Sequence, residues 1–224
     1  MRVVDLLINL LASVIAGTAV WLAQFAIRRR RLDRERAFFG VTAGMTSLLV
    51  TGRHHSSPSE LSVHRRDVAA LVELATLVRE CGGRTDLIGG ADIRQELGRS
   101  AEFCVGGPTV NPRTAVHLRS ALRGVAYENR GFSVGGTTYV NDPENSYALL
   151  ACFRAPAPVF YLGGLASDGN LAAARYLAKH YGDLPQEFCL VLRVREPAAY
   201  GTDLTEVAAD VSDVAFKAAP GGED

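Results

Sequence analysis

Three stretches carry the residues best suited to chemistry. Residues 102–113, EFCVGGPTVNPR, read as a short apolar strand, a Gly-Gly-Pro turn and a helix start. Asn111 suits the N-cap and Pro112 the first helical position, which needs no N–H donor. Residues 159–170, VFYLGGLASDGN, repeat the pattern of strand, Gly163-Gly164 and helix. The third stretch is the polar loop Arg53-His54-His55-Ser56, after a first strand-like run. Glycines let a ligand approach the backbone, and a helix N-terminus offers free N–H groups to an anion. Arg113 can pair with phosphate or carboxylate, and the tandem histidines can hold an anion or move a proton. The plainer readings are tight turns, a solvated Arg113 and an exposed polar loop.

The candidate ligand-binding set is therefore Arg53, His54, His55, Ser56, Gly106, Gly107, Asn111, Arg113, Gly163, Gly164, Ser167, Gly169 and Asn170. Gly164 and Gly169 match the glycine spacing of a phosphate-binding loop. Asn170-Leu171 follow, where such a loop has Lys and Ser/Thr, so NTP hydrolysis of that kind is not expected. The dinucleotide fingerprint G-x-G-x-x-G is absent as well. Weak catalytic candidates are His54 and the acids Asp142 and Glu144, either of which suits an N-glycosidase-like reaction at a ribose. Asp142-Pro143 is equally an ordinary turn opening. His64, His117 and His180 lie in helical patterns without metal-ligand spacing and read as structural. Cys81, Cys104, Cys152 and Cys189 form no C-x-x-C pair, so they read as buried thiols, and no metal or cofactor is assigned.

These loops need a sheet to position them. Strand patterns fall at residues 45–51, 85–88, 102–105, 125–128, 147–153, 159–162 and 188–194. Gly135-Gly136 marks a hairpin between residues 132–134 and 137–140. Ser57-Pro58-Ser59-Glu60 predicts the start of a helix or helical turn, and helical spacing from Val68 runs to Cys81, where Gly82-Gly83 stops it. Further helices are predicted at residues 112–122 and 171–181, and a short helix or loop at 91–97. The alternation indicates an α/β fold: a Rossmann-like (flavodoxin-like), mainly parallel sheet with an inserted hairpin. Right-handed crossovers would bring the three loops to one edge, at the carboxyl ends of adjacent parallel strands.

One transmembrane helix is expected before this fold. Residues 6–27 hold no charge and would reach roughly 33 Å as a helix. Residues 28–36, RRRRLDRER, follow with a net charge of +4. The positive-inside rule then puts the N-terminus outside and the domain in the cytoplasm, anchored in the cell membrane. A cleaved signal peptide fits poorly, since the basic flank lies on the wrong side. Asn9, Ala12, Ala16, Ala19, Ala23 and Ala26 form a small-residue face that suits self-association into a homo-oligomer. The expected division is residues 1–36 for the helix and basic flank, 37–44 for a connector with Phe38 and Phe39 near the membrane surface, 45–200 for the cytoplasmic domain and 201–224 for a partly disordered tail. The 24 basic and 24 acidic residues balance, so no global charge argues for nucleic acid.

With its first strand and polar loop, GGPTVNP, and GGLASDGN leading into a helix, the chain over residues 45–195 resembles Rossmann-like nucleotide-sensing and TIR-like domains of membrane-associated bacterial signalling and defence proteins. The resemblance implies a nucleotide-like ligand. No site residue transfers from it, because the nucleotide-loop lysine is missing here. The leading expectation is a single-pass anchored module that binds a small anionic ligand, for sensing or membrane-localised assembly. The alternatives are a nucleotide or NAD glycosidase and a structural membrane subunit with an inert domain.

Overall fold

The computed structural model describes residues 2–59, 62–93, 98–128 and 130–217; within these, the side chains of residues 2–7, 9 and 12 lie outside the description. A long helix, α1 (Arg2–Phe39), leads into β1 (Thr46–Thr51), α2 (Arg65–Glu80), β2 (Arg84–Gly89), β3 (Glu102–Val105) and α3 (Pro112–Ser120). Then come β4 (Val125–Glu128), β5 (Gly131–Val134), β6 (Thr137–Val140), β7 (Asn145–Ala155), β8 (Ala157–Gly164) and α4 (Ser167–His180). The chain continues through a 3-10 turn at Tyr181–Asp183, β9 (Phe188–Arg195), α5 (Pro197–Tyr200), β10 (Thr205–Asp210) and α6 (Ser212–Ala215).

Seven strands form one sheet in the order β10-β9-β7-β8-β3-β1-β2, and β4-β5-β6 form a second, small one. The large sheet is mixed rather than mainly parallel. β2, β1, β3 and β8 are parallel neighbours, while the β7–β8, β7–β9 and β9–β10 pairs are antiparallel. The reason lies at Ala155-Pro156-Ala157. A connection this short between β7 and β8 leaves no room for the crossover a parallel pair needs. The expected hairpin is present, with Gly135 (φ 60°) and Gly136 (φ 80°) both in the left-handed region that a tight two-residue turn requires.

Each face of the sheet is covered. One carries α2, α4 and the end of α1, with Leu74, Leu77, Phe103, Phe160 and Leu177 at its core. The other carries α3, α6 and the small sheet, around Leu122, Phe132, Leu149, Tyr161 and Val191. The chain thus leaves β1 for one face and β3 for the other, so the switch between faces falls between adjacent strands. Crevices of open α/β sheets lie at such points.

Several expectations are corrected. The helix expected from Pro58 starts at Arg65, where His64 accepts the Arg66 N–H and so caps it. Glu60 of the expected capping box lies outside the described residues, as do residues 94–97 and the tail 218–224. Residues 205–215 form a strand and a helical turn. α1 runs without a break through the basic flank. Phe38 and Phe39, expected near a membrane surface, are instead buried beside Phe160 at centroid distances of 5.8 and 5.5 Å. Among the described residues, no helix is long and apolar enough to cross a membrane. The apolar run includes residues 6, 7, 9 and 12, whose side chains are outside the description, so the expected Asn9–Ala12 part of the small-residue face is too.

Candidate functional site

The three predicted loops do share one sheet edge. β1, β3 and β8 are parallel neighbours, and their carboxyl-end loops are hydrogen-bonded to one another. The Gly52 N–H donates to Val105 O at 3.3 Å and the Arg53 N–H to Val110 O at 3.1 Å, joining the first loop to the second. The Gly106 N–H donates to Leu162 O at 2.9 Å, joining the second to the third. Gly106 sits at φ 100°, where an L side chain is strained. Gly107 lies against Gly164: a methyl placed on it would be 3.8 Å from the Gly164 carbonyl oxygen, an ordinary contact.

The polar groups around this loop junction only partly coincide with the predicted set. His54 is half-buried, and its ring centroid is 5.3 Å from that of His64. His54 Nδ1 accepts the Ser56 N–H at 3.2 Å, and His64 Nδ1 accepts the Arg66 N–H at 3.1 Å. A ring whose Nδ1 accepts carries its proton on Nε2, so each imidazole keeps an Nε2–H donor. Asp67, one turn into α2, accepts from Asn170 Nδ2 at 2.8 Å, and Asn170 Oδ1 accepts the Gly164 N–H at 2.6 Å. Asn170 thereby clamps α2, α4 and the β8 loop together. Burial pushes the Asp67 carboxyl above its ordinary range, opposed by the Asn170 hydrogen bond and the nearby His64 and His54. Arg53, His55 and Ser56 are exposed and make no side-chain hydrogen bond among the described residues.

Other predicted site residues serve the fold. Asn111 is fully buried; its Oδ1 accepts the Arg113 and Thr114 N–H groups, and its Nδ2 donates to Val105 O. A Cβ on Gly164 would meet Ala166 O at 2.5 Å, and one on Gly169 would meet Gly164 Cα at 3.0 Å. The spacing of these two glycines reflects a close strand–helix junction. Gly163 is packed under the Tyr161 ring. Ser167, Gly169 and Asn170 fall within α4, which begins four residues earlier than expected.

Arg113 departs furthest from expectation. It is buried and makes a bidentate pair with Glu102, its Nε at 3.0 Å from Oε2 and its NH2 group on Oε1. His117 Nε2 lies 3.1 Å from the same Oε2. Burial alone would raise the Glu102 carboxyl, but hydrogen bonds from His117 and Arg113 and their charges outweigh it and hold it below the ordinary range. The guanidinium is therefore not available to a ligand. The cluster was nonetheless partly legible: an acid opening an apolar strand needs a cation when buried, and Arg113 and His117 stand four apart on one helix face. Donor atoms of Glu102, Cys104 and His117 lie within 4.8 Å of one another. The Arg113 charge already occupies the place of a cation there, and burial pushes the Cys104 thiol well above its ordinary range, away from the thiolate a metal needs.

Asp142 and Glu144, each proposed singly for glycosidase chemistry, sit in a turn before β7. Asp142 Oδ1 accepts the Glu144 and Asn145 N–H groups at 2.8 and 2.7 Å, closing a turn. Hydrogen bonds from the Asn145 side chain and the Glu144 backbone hold Asp142 below its ordinary range. Glu144 is exposed, without a side-chain partner among the described residues. Beside the crevice, a groove of about 410 Å³ is lined by Pro108, Ala115, Leu118, Arg119, Arg123, Val125 and Tyr127. Pro108 belongs to the second loop, and the Tyr127 hydroxyl donates to the Gly163 carbonyl at 3.2 Å. Arg119 and Arg123 are exposed and form no ion pair among the described residues. Comparison with protein families, curated proteins and solved structures finds no match to this chain.

Proposed function

We propose that the chain is a membrane-anchored, cytoplasmic α/β module that binds a small anionic, nucleotide-like ligand where the β1, β3 and β8 loops meet, for sensing or membrane-localised assembly. The observation that carries the ligand reading is the junction of these loops at the point where the chain switches faces. The adjoining groove supports it. Its volume is of the size small-molecule pockets have, and its lining combines apolar side chains with two exposed arginines that form no ion pair among the described residues. Arg119 and Arg123 take the electrostatic role expected of Arg113. His54 and His64 add Nε2–H donors, and the N-terminus of α4 adds a partial positive charge.

The anchor reading rests on α1. From Ile8 to Ile27 its large apolar side chains, Trp21, Leu22 and Phe25 among them, are between 52 and 66 % exposed. They point in all directions around the helix, and a helix apolar on every side is ordinarily enclosed by protein or lipid. Six arginines follow within residues 28–36.

The test of the ligand reading is a binding panel on the detergent-solubilised full chain with inorganic phosphate, pyrophosphate, AMP and ADP-ribose, read by calorimetry. At least one nucleotide should bind. Joint replacement of Arg119 and Arg123 by Ala should weaken it by about 1.5–3 kcal/mol for each charged hydrogen bond lost. Gly107→Val should block binding, and Gly107→Ala, whose Cβ meets only ordinary contacts, should leave the thermal unfolding midpoint in place. Equal affinity in wild type, the double arginine variant and Gly107→Val would remove the crevice from consideration.

A further inference from the structure

Among the described residues, the β2 edge of the large sheet is unpaired. Arg84, Thr85, Asp86 and Leu87 are all exposed, and Arg84 and Asp86 form no ion pair among the described residues. The Arg84 N–H donates to Met45 O at 2.8 Å and the Gly90 N–H to Thr51 O at 3.0 Å. Even-numbered residues of β2 thus turn their backbone groups towards β1. The odd-numbered Thr85, Leu87 and Gly89 turn theirs outward, because backbone direction alternates along a strand. Unpaired edges of this kind template pairing with another strand. Apolar surface accompanies the edge. Leu87 is 59 % exposed and stands in register with Leu49, on the face that α2 covers. The outer side of α2 carries Val68 and Val72, at 47 and 60 % exposure.

We propose that this edge is where two copies of the chain join, β2 against β2, antiparallel about a two-fold axis at Thr85, through a short ladder centred on the Thr85 pair; beyond it the Gly83 N–H opposite Leu87 is already given to Val78 O. The register follows from the residues. Outward-facing groups must meet outward-facing groups, so odd residues pair with odd ones, and the axis passes through a residue. Centring on Asp86 sets Asp86 against its own copy, which is repulsive. Centring on Leu87 leaves Arg84 and Asp86 opposite Gly90 and Ile88. Centring on Thr85 places Arg84 opposite the partner's Asp86 twice over, by symmetry, and makes the two Thr85 residues a hydrogen-bonded pair. The contact is isologous, the form most closed dimers take. It is independent of what the crevice binds and of the small-residue face of α1.

Cross-linking of the full chain tests this. Cα atoms of a hydrogen-bonded antiparallel pair lie about 5.5 Å apart, inside the disulfide range. The four native cysteines are all buried, so an introduced thiol reports alone. On mild oxidation Thr85→Cys should form a covalent dimer, whereas Thr109→Cys, exposed on a crevice loop, should not. In the Thr85→Cys background, Arg84→Glu or Asp86→Arg should each weaken dimerisation roughly tenfold, since both symmetric pairs turn repulsive. The double swap should restore it. A merely structural effect of either charge would not be rescued. Failure of Thr85→Cys to cross-link above the Thr109→Cys level, or failure of the double swap to rescue, overturns the proposal. So does cross-linking of Thr85→Cys to a different protein with no homodimer, which would give the edge to a foreign strand.

Discussion

Glu102 shows what burial does to a charge. It is 1 % exposed at the start of β3, and both oxygens are engaged by Arg113 and His117. Removing one member of a buried pair leaves the other uncompensated, so Glu102→Gln should cost about 3 kcal/mol or more in urea unfolding at pH 7. Its pH dependence has a definite sign. The folded carboxyl titrates below its unfolded value, so the stabilisation is complete above the unfolded pKa and is lost as pH falls through the folded one. The gap between wild type and Glu102→Gln should therefore narrow between pH 7 and about pH 3, below the ordinary carboxylate pKa. A gap that holds constant would mean that the charge of Glu102 contributes nothing. The buried thiols behave in the opposite way to a reactive centre: burial pushes Cys81 up to about 11 and Cys152 and Cys189 up to about 12, leaving them inert at neutral pH.

Among the elements, α1 differs most from expectation. A connector was expected from residue 37, yet the helix continues to Phe39 and is fastened to the domain. Arg36 Nε donates to Cys81 O at 2.7 Å, placing a cation at the C-terminal end of α2. The Tyr181 hydroxyl donates to Glu35, which also pairs with Arg31. Phe39 is 1 % exposed among Phe103, Phe160 and Tyr181. Phe39→Ala should therefore cost about 3–5 kcal/mol in urea unfolding of the detergent-solubilised chain. A loss below 1 kcal/mol would mean the helix end is not part of the core. A helix held this way couples its apolar half to the domain without a hinge.

At the scale of the whole molecule, the orientation proposed for the chain is open to direct measurement. Lys217 is exposed at the end of the described chain. In intact cells Lys217→Cys should resist an impermeant thiol reagent and react once the cells are opened; labelling in intact cells would reverse the assignment. Much of the architecture was legible beforehand, because local chemistry determines it. Apolar runs next to glycine located β1, β3, β4 and β8, an apolar run between prolines located β9, Asn111-Pro112 located the start of α3, and the order of strand and helix located the three loops on one edge. These features depend on residues close in sequence. Only the tertiary structure decided the partners of the polar groups. Arg113 faces Glu102 eleven residues away, Asn170 reaches Asp67 across more than a hundred, and Gly164 meets Gly169 where a strand touches a helix. A buried charge or polar side chain is settled by whatever the fold brings within hydrogen-bond reach, and sequence spacing alone does not carry that information.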